Sequence, residues 1–153
     1  MILAELRSGY QYLATSLNSH PKAFCFGEIF GSDREIRKKS LFRKDFPVLE
    51  DNQSAVKYMM RIRDYGLNHN LDAIGFKLNY VDGMHNEAWK PMWEWLVEHK
   101  WSIIHLTRRN LLNRLLSERL AQRHDSWQNT EYDKPIVLDP KDFFFCQERS
   151  LQW

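Results

Sequence analysis

Only two cysteines stand in the 153 residues, Cys25 and Cys146. They form no CxxC pair, so neither a metal site nor a disulfide framework is expected, and both read as reduced thiols in a reducing compartment. No run of 18 apolar residues occurs, so no membrane-spanning helix is expected. The opening Met-Ile-Leu-Ala-Glu-Leu is broken by Glu5 and Arg7 too early for a secretory signal, which makes the cytoplasm the expected location. A net charge of +2 provides no field for wrapping a long nucleic acid, although a small anionic ligand needs only a local positive pocket. Neither an internal repeat nor a low-complexity linker interrupts the chain, and its length suits one domain, 1–153.

What is present is a chain that can build a core: 43% of its residues are apolar and 14% aromatic. Residues 1–6 read as a short buried strand, broken by Arg7-Ser8-Gly9. Tyr10, Leu13, Ala14 and Leu17 then fall at helical spacing over 10–18, and Asn18-Ser19-His20-Pro21 ends that helix. Residues 23–26 form a second strand pattern. Residues 31–50 are polar and basic, carry Pro47, and show no assignable period. Asp51 is the expected N-cap of a helix over 53–67, ended by Gly66 and Asn68. A strand is expected over 73–78, a helix over 86–99 with Pro91 in its first turns, a strand over 101–107 and a helix over 110–123. Pro135 to Asp139 reads as a last strand, and Phe143, Phe144 and Phe145 begin a last helix. Strands that alternate with helices predict a three-layer α/β/α fold around a mostly parallel sheet. In such sheets ligands lie beyond the carboxyl ends of the strands. Arg7 to Gln11, Gly27-Glu28 and Thr107 to Asn110 hold those positions.

At the first of these, Arg7-Ser8-Gly9 joins a strand to a helix in very few residues. Gly9 permits a tight turn, the opening helix presents free N–H groups to an anion, Arg7 adds a guanidinium fork and Ser8 a hydroxyl. The loop looks like a shortened phosphate loop, since GxxxxGK[ST] is absent; an ordinary strand–helix turn is the plainer reading. At the third, Ser117 follows Arg109 by eight residues. A guanidinium and a hydroxyl converging there would hold a phosphate; alternatively Arg108, Arg109 and Arg114 are solvated and Ser117 is a polar helix residue.

Four segments together resemble the sulfotransferases that use 3′-phosphoadenosine 5′-phosphosulfate (PAPS), above all bacterial carbohydrate sulfotransferases of the Stf-zero and nodulation type. They are Ile2 to Pro21, Gly27-Glu28-Ile29-Phe30, Gly75-Phe76-Lys77-Leu78, and residues 103–121 with I-I-H-L-T-R-R-N-L-L-N-R-L-L-S-E-R-L-A. The resemblance implies a P-loop-like sulfotransferase fold and sulfuryl transfer from PAPS to a hydroxyl, that of a carbohydrate, leaving 3′-phosphoadenosine 5′-phosphate (PAP). It implies a 5′-phosphosulfate loop at Arg7, Ser8, Gly9, Tyr10 and Gln11. It also implies a 3′-phosphate pair at Arg109 and Ser117, with Arg108 one residue away as the alternative guanidinium, and Glu28 as general base. Many members of that family carry Thr or Ser where this chain has Tyr10 and Gln11. Members also continue well past the equivalent of residue 130, so the usual C-terminal extension is expected to be missing. The chemistry suits the residue types: an in-line transfer needs positioning and charge stabilisation, here by Arg7 and helix N–H groups, a base, and no metal.

Two other classes fit parts of the pattern. One is a small P-loop-like kinase, against which the absent loop lysine and Mg²⁺-binding Ser/Thr count. The other is a non-catalytic nucleotide-binding or interaction domain. Among the remaining residues, Lys77 reads equally as a snorkelling lysine and as a site residue, and His105 as a satisfied packing histidine. His20 is expected to cap a turn. Trp89, Trp93 and Trp95 are expected in packing, with a sugar platform as the alternative. Trp127 is a candidate cleft residue. Arg34 to Lys44 reads as a solvated basic face, or as a lid over the cofactor.

Overall fold

The structure is a computed structural model and describes residues 1–31, 34–51, 53–84, 87–124 and 137–151. In chain order its elements are β1 (Ile2–Ala4), α1 (Tyr10–Asn18), β2 (Ala23–Glu28), α2 (Arg34–Ser40), α3 (Ala55–Asn68), β3 (Ala73–Asn79) and α4 (Tyr80–Met84). A 3₁₀ turn (Glu87–Trp89) leads into α5 (Lys90–Glu98), and β4 (Ile104–Leu106), α6 (Leu111–His124) and α7 (Pro140–Leu151) follow. Two compact units result: Met1–Glu5 with Gly9–Leu106, and Leu6–Ser8 with the described residues from Thr107 on.

In the first unit the strands lie in the order β2-β3-β1-β4 and every neighbouring pair is parallel. The step from β1 to β2 crosses the sheet one way; those from β2 to β3 and from β3 to β4 go the other way. Right-handed crossovers then require helices on opposite faces. Packing agrees. Ala14 of α1 sits against Ile2, Ala4 and Cys25 on one face, where small side chains let the helix approach closely. On the other face α3 and α5 bury Tyr58, Met59, Ile62, Met92 and Leu96 against Phe26, Phe76 and Leu78. The layers are therefore α/β/α around a parallel sheet. Because the chain leaves β1 and β3 towards opposite faces, their carboxyl ends flank the crevice where such folds place ligands.

β2 lies at an edge, and its outer backbone groups are largely covered. The Asn18 side chain pairs with both backbone groups of Cys25, donating to its carbonyl (3.0 Å) and accepting from its N–H (2.6 Å). Phe42 N–H donates to the Phe26 carbonyl at 3.0 Å. One irregularity in β2 matters for chemistry. Cys25 pairs with Gly75 but Glu28 pairs with Lys77, so three residues of β2 span two of β3, and Gly27 takes φ 91°. In a regular strand Glu28 would share the face of Phe24 and Phe26, which is the aromatic core. The bulge moves it to the face of Lys77.

Several expected boundaries shift. The cap of α3 is Ser54, whose hydroxyl accepts from Lys57 N–H; Asp51 instead pairs with Arg37. The run 101–107 pairs over Ile104–Leu106 only, because Trp101 is drawn back by its N–H bond to the Leu96 carbonyl (3.0 Å) at the end of α5. Residues 31–50 contain a helix, α2, and 137–139 are irregular; Pro135 and Ile136 lie outside the described residues. α7 begins at Pro140, just ahead of the phenylalanines. Of the tryptophans, Trp89 and Trp95 are buried and Trp93 packs against the core. No helix among the described residues is long and apolar enough to cross a membrane.

Candidate functional site

The first unit carries a buried polar cluster at the carboxyl ends of β2 and β3. Lys77 and Asn79 alternate with Phe76 and Leu78 and so point away from the aromatic core. The Lys77 ammonium is fully buried and donates to Glu28 Oε1 at 2.5 Å and to the Asn79 side-chain oxygen. It also lies 4.0 Å from the centre of the Tyr10 ring. Asn79 Nδ2 donates to Glu28 Oε2 at 3.3 Å and to Asp82 at 2.9 Å. The Tyr10 phenol lies close enough to Glu28 to feel its charge. Glu28 keeps 12% of its side chain exposed whereas Lys77 keeps none, so the carboxylate and not the ammonium faces outward.

Burial pushes the Lys77 ammonium below its ordinary value, opposed by the charges of Glu28 and Asp82. Burial raises the Tyr10 phenol and the Glu28 charge raises it further. The Cys25 thiol is raised by burial above its ordinary value of 9.0. These shifts set a pH dependence. Tyr10 and Cys25 ionise more readily unfolded, so the stability tied to their neutral forms is intact below about pH 9 and is lost as pH rises through 9 and 10. Lys77 acts in the opposite sense, losing stability as pH falls below 10.5, but it is one group against three, since burial raises the Tyr58 phenol as well. The urea midpoint should therefore fall between pH 9 and 11, each acid contributing at most about 1.4 kcal/mol per pH unit. Tyr10→Phe should flatten that fall; an unchanged slope would remove Tyr10 from the cluster.

The second unit carries a separate arrangement. Arg7 lies in the left-handed region at φ 61°, and its Nε donates to Ser117 Oγ at 2.8 Å. Arg108 Nη1 donates to the Arg7 carbonyl at 3.1 Å. A left-handed non-glycine residue is strained by about 1 kcal/mol or more and persists only where its surroundings hold it. Asn110 caps α6, accepting from Asn113 N–H at 2.9 Å, and Ser117 lies two turns along that helix. On the inward side of α6, Arg114 is buried beside Glu118 rather than solvated.

Of the residues expected to contact an anion, Arg7, Arg108 and Ser117 are therefore joined by hydrogen bonds. Arg109 is exposed and takes no part in that chain of bonds; its carbonyl accepts from Leu111 N–H. Ser8 is half-buried. Gly9 is exposed at φ 92°, a conformation only glycine adopts without strain, and caps α1 with no side-chain bond. Gln11 is exposed on the first turn. His20 caps its turn as expected, accepting from Lys22 N–H at 3.2 Å, and His105 meets the Tyr80 hydroxyl from an exposed edge strand. Trp127 lies outside the described residues, as does the Cys146 side chain. Sequence reasoning passed over Asn79 and Asp82, whose only signal was their closeness to Lys77. A shallow concavity lined by Pro47, Val48, Gln53, Ser54, Lys57 and Arg61 shares no residue with either arrangement. Among the described residues no three His, Cys, Asp or Glu side chains are grouped to hold a metal ion.

No family model matches the chain, and neither does any curated protein or any solved structure.

Proposed function

We propose that the chain is a PAPS-dependent sulfotransferase acting on a hydroxyl acceptor, a carbohydrate. The observation that supports this reading is the hydrogen bond between Arg7 and Ser117, 110 residues apart, with Arg108 tied to the Arg7 carbonyl. Guanidinium groups and a hydroxyl gathered in this way suit a phosphate, which accepts several charge-assisted bonds at once. Each unit offers donors that suit a phosphate of a nucleotide carrying a 3′- and a 5′-phosphate: Arg7, Arg108 and Ser117 in the second, and the helix N–H groups of Gly9, Tyr10 and Gln11 in the first. Bound PAPS supplies the sulfuryl group. Glu28, the outward carboxylate of the first unit, takes the acceptor proton.

Calorimetric titration without magnesium tests the reading. PAP should bind at micromolar concentration and AMP at least tenfold more weakly. Arg108→Ala and Ser117→Ala should each weaken PAP, the charged contact by roughly 1.5–3 kcal/mol. Equal affinity for PAP and AMP would remove the 3′-phosphate assignment. One observation favours a second reading, nucleotide binding without turnover: Lys77 and Asn79 already engage both oxygens of Glu28. PAP binding with no consumption of PAPS would select it.

A further inference from the structure

We infer that Lys77 and Asn79 are positioning residues for Glu28, holding its carboxylate so that Oε2 is the atom that receives the acceptor proton. The inference rests on the sulfotransferase reading and adds to it the residues that make Glu28 serviceable.

The geometry distinguishes the two carboxylate oxygens. Oε1 is held at 2.5 Å by a fully buried ammonium, a strong charge-assisted bond. Oε2 has the longer amide bond, 3.3 Å from Asn79, so it is the more easily lent to a new partner. Asn79 is itself held by Asp82 at 2.9 Å, and the Lys77 stem is fixed by its place in β3 between two paired strands. The ammonium is too deep to touch an acceptor; whatever it does for the reaction passes through Glu28. The charged and titratable groups around the carboxylate are Lys77 from β3, Asp82 from α4 and Tyr10 from α1.

The step is the same for a sugar hydroxyl and for water. The acceptor oxygen forms a bond to sulfur, the bond from sulfur to the bridging phosphate oxygen breaks, and its electron pair leaves with PAP. The acceptor proton passes to Oε2. With water as acceptor, PAPS yields PAP and sulfate, so the test needs no knowledge of the sugar.

The experiment measures PAPS hydrolysis and PAP affinity for the wild type, Lys77→Met and Asn79→Leu, each alone and combined with Glu28→Gln, in protein shown by circular dichroism to be folded. Asn79→Leu leaves the ammonium in place, so it carries the test if Lys77→Met does not fold. Each variant should lower hydrolysis at least tenfold while PAP affinity stays within twofold. In the Glu28→Gln background neither should lower it further, because a residue that acts only through Glu28 has nothing left to act on. Similar losses in both backgrounds would mark a structural role and overturn the inference, as would unchanged hydrolysis in a folded variant. Wild-type protein that binds PAP but leaves PAPS intact also overturns it. Failure of the wild type to bind PAP removes the sulfotransferase reading, and this inference with it.

Discussion

Lys77→Met should cost the fold about 3–5 kcal/mol, read as a fall in the urea midpoint at pH 7. The stem of methionine fills much of the lysine channel, so lost volume is not the main cause. Removing the ammonium leaves Glu28 mostly buried, with its strongest partner gone and the Asn79 oxygen without a donor. An ion pair of this kind adds little stability over apolar residues of the same size, yet breaking one half of it is expensive. Glu28→Leu combined with Lys77→Met should therefore recover part of the loss, and the double-mutant cycle should give a coupling of about 1 kcal/mol or more. A loss below about 1 kcal/mol for Lys77→Met would mean that the ammonium reaches water.

Arg37→Met should cost about 2–5 kcal/mol, from a residue inside a run that reads as a solvated basic face. Arg37 is only 2% exposed. Its guanidinium donates to the Leu49 carbonyl and to the Gly31 carbonyl, both at 2.9 Å, and to Asp51. Methionine keeps the apolar stem and leaves both carbonyls without that donor. Lys38→Met, one residue along α2 and exposed, should change stability by no more than about 0.5 kcal/mol. Equal effects at the two positions would return Arg37 to the surface.

These two residues show where sequence reading stops. Helix α1 was legible to the residue because Tyr10, Leu13, Ala14 and Leu17 carry one face, and Gly9 marks its start. Strands β1 and β3 were legible from short apolar runs. Arg37 was not, because charge predicts exposure unless partners are known, and its carbonyl partners lie 6 and 12 residues away. Glu28 was legible as a residue at a strand end, but its face was not: counting by twos puts it in the core, and only the bulge at Gly27 turns it outward. The cap of α3 went to Asp51 because Asp and Ser both cap well and local sequence does not rank them. The bond from Arg7 to Ser117 spans 110 residues, beyond any periodicity. The eight-residue spacing drew attention to Arg109, and α6 instead leaves that side chain exposed.

The strand order also governs when the fold can form. β1 lies between β3 and β4, so its neighbours begin about 70 and 100 residues after it ends. At a synthesis rate of about 5–20 residues per second, β1 leaves the ribosome roughly 5–20 s before both of its edges can be paired. During that interval Ile2, Leu3 and Ala4 are an apolar strand with one or both edges open, a state prone to pair wrongly with another chain. Its brevity limits the hazard, since three residues offer few ladder bonds to a stranger. The sheet therefore closes late and from its middle outward, and the expected kinetic signature is slow folding dominated by long-range pairing rather than by the early helices.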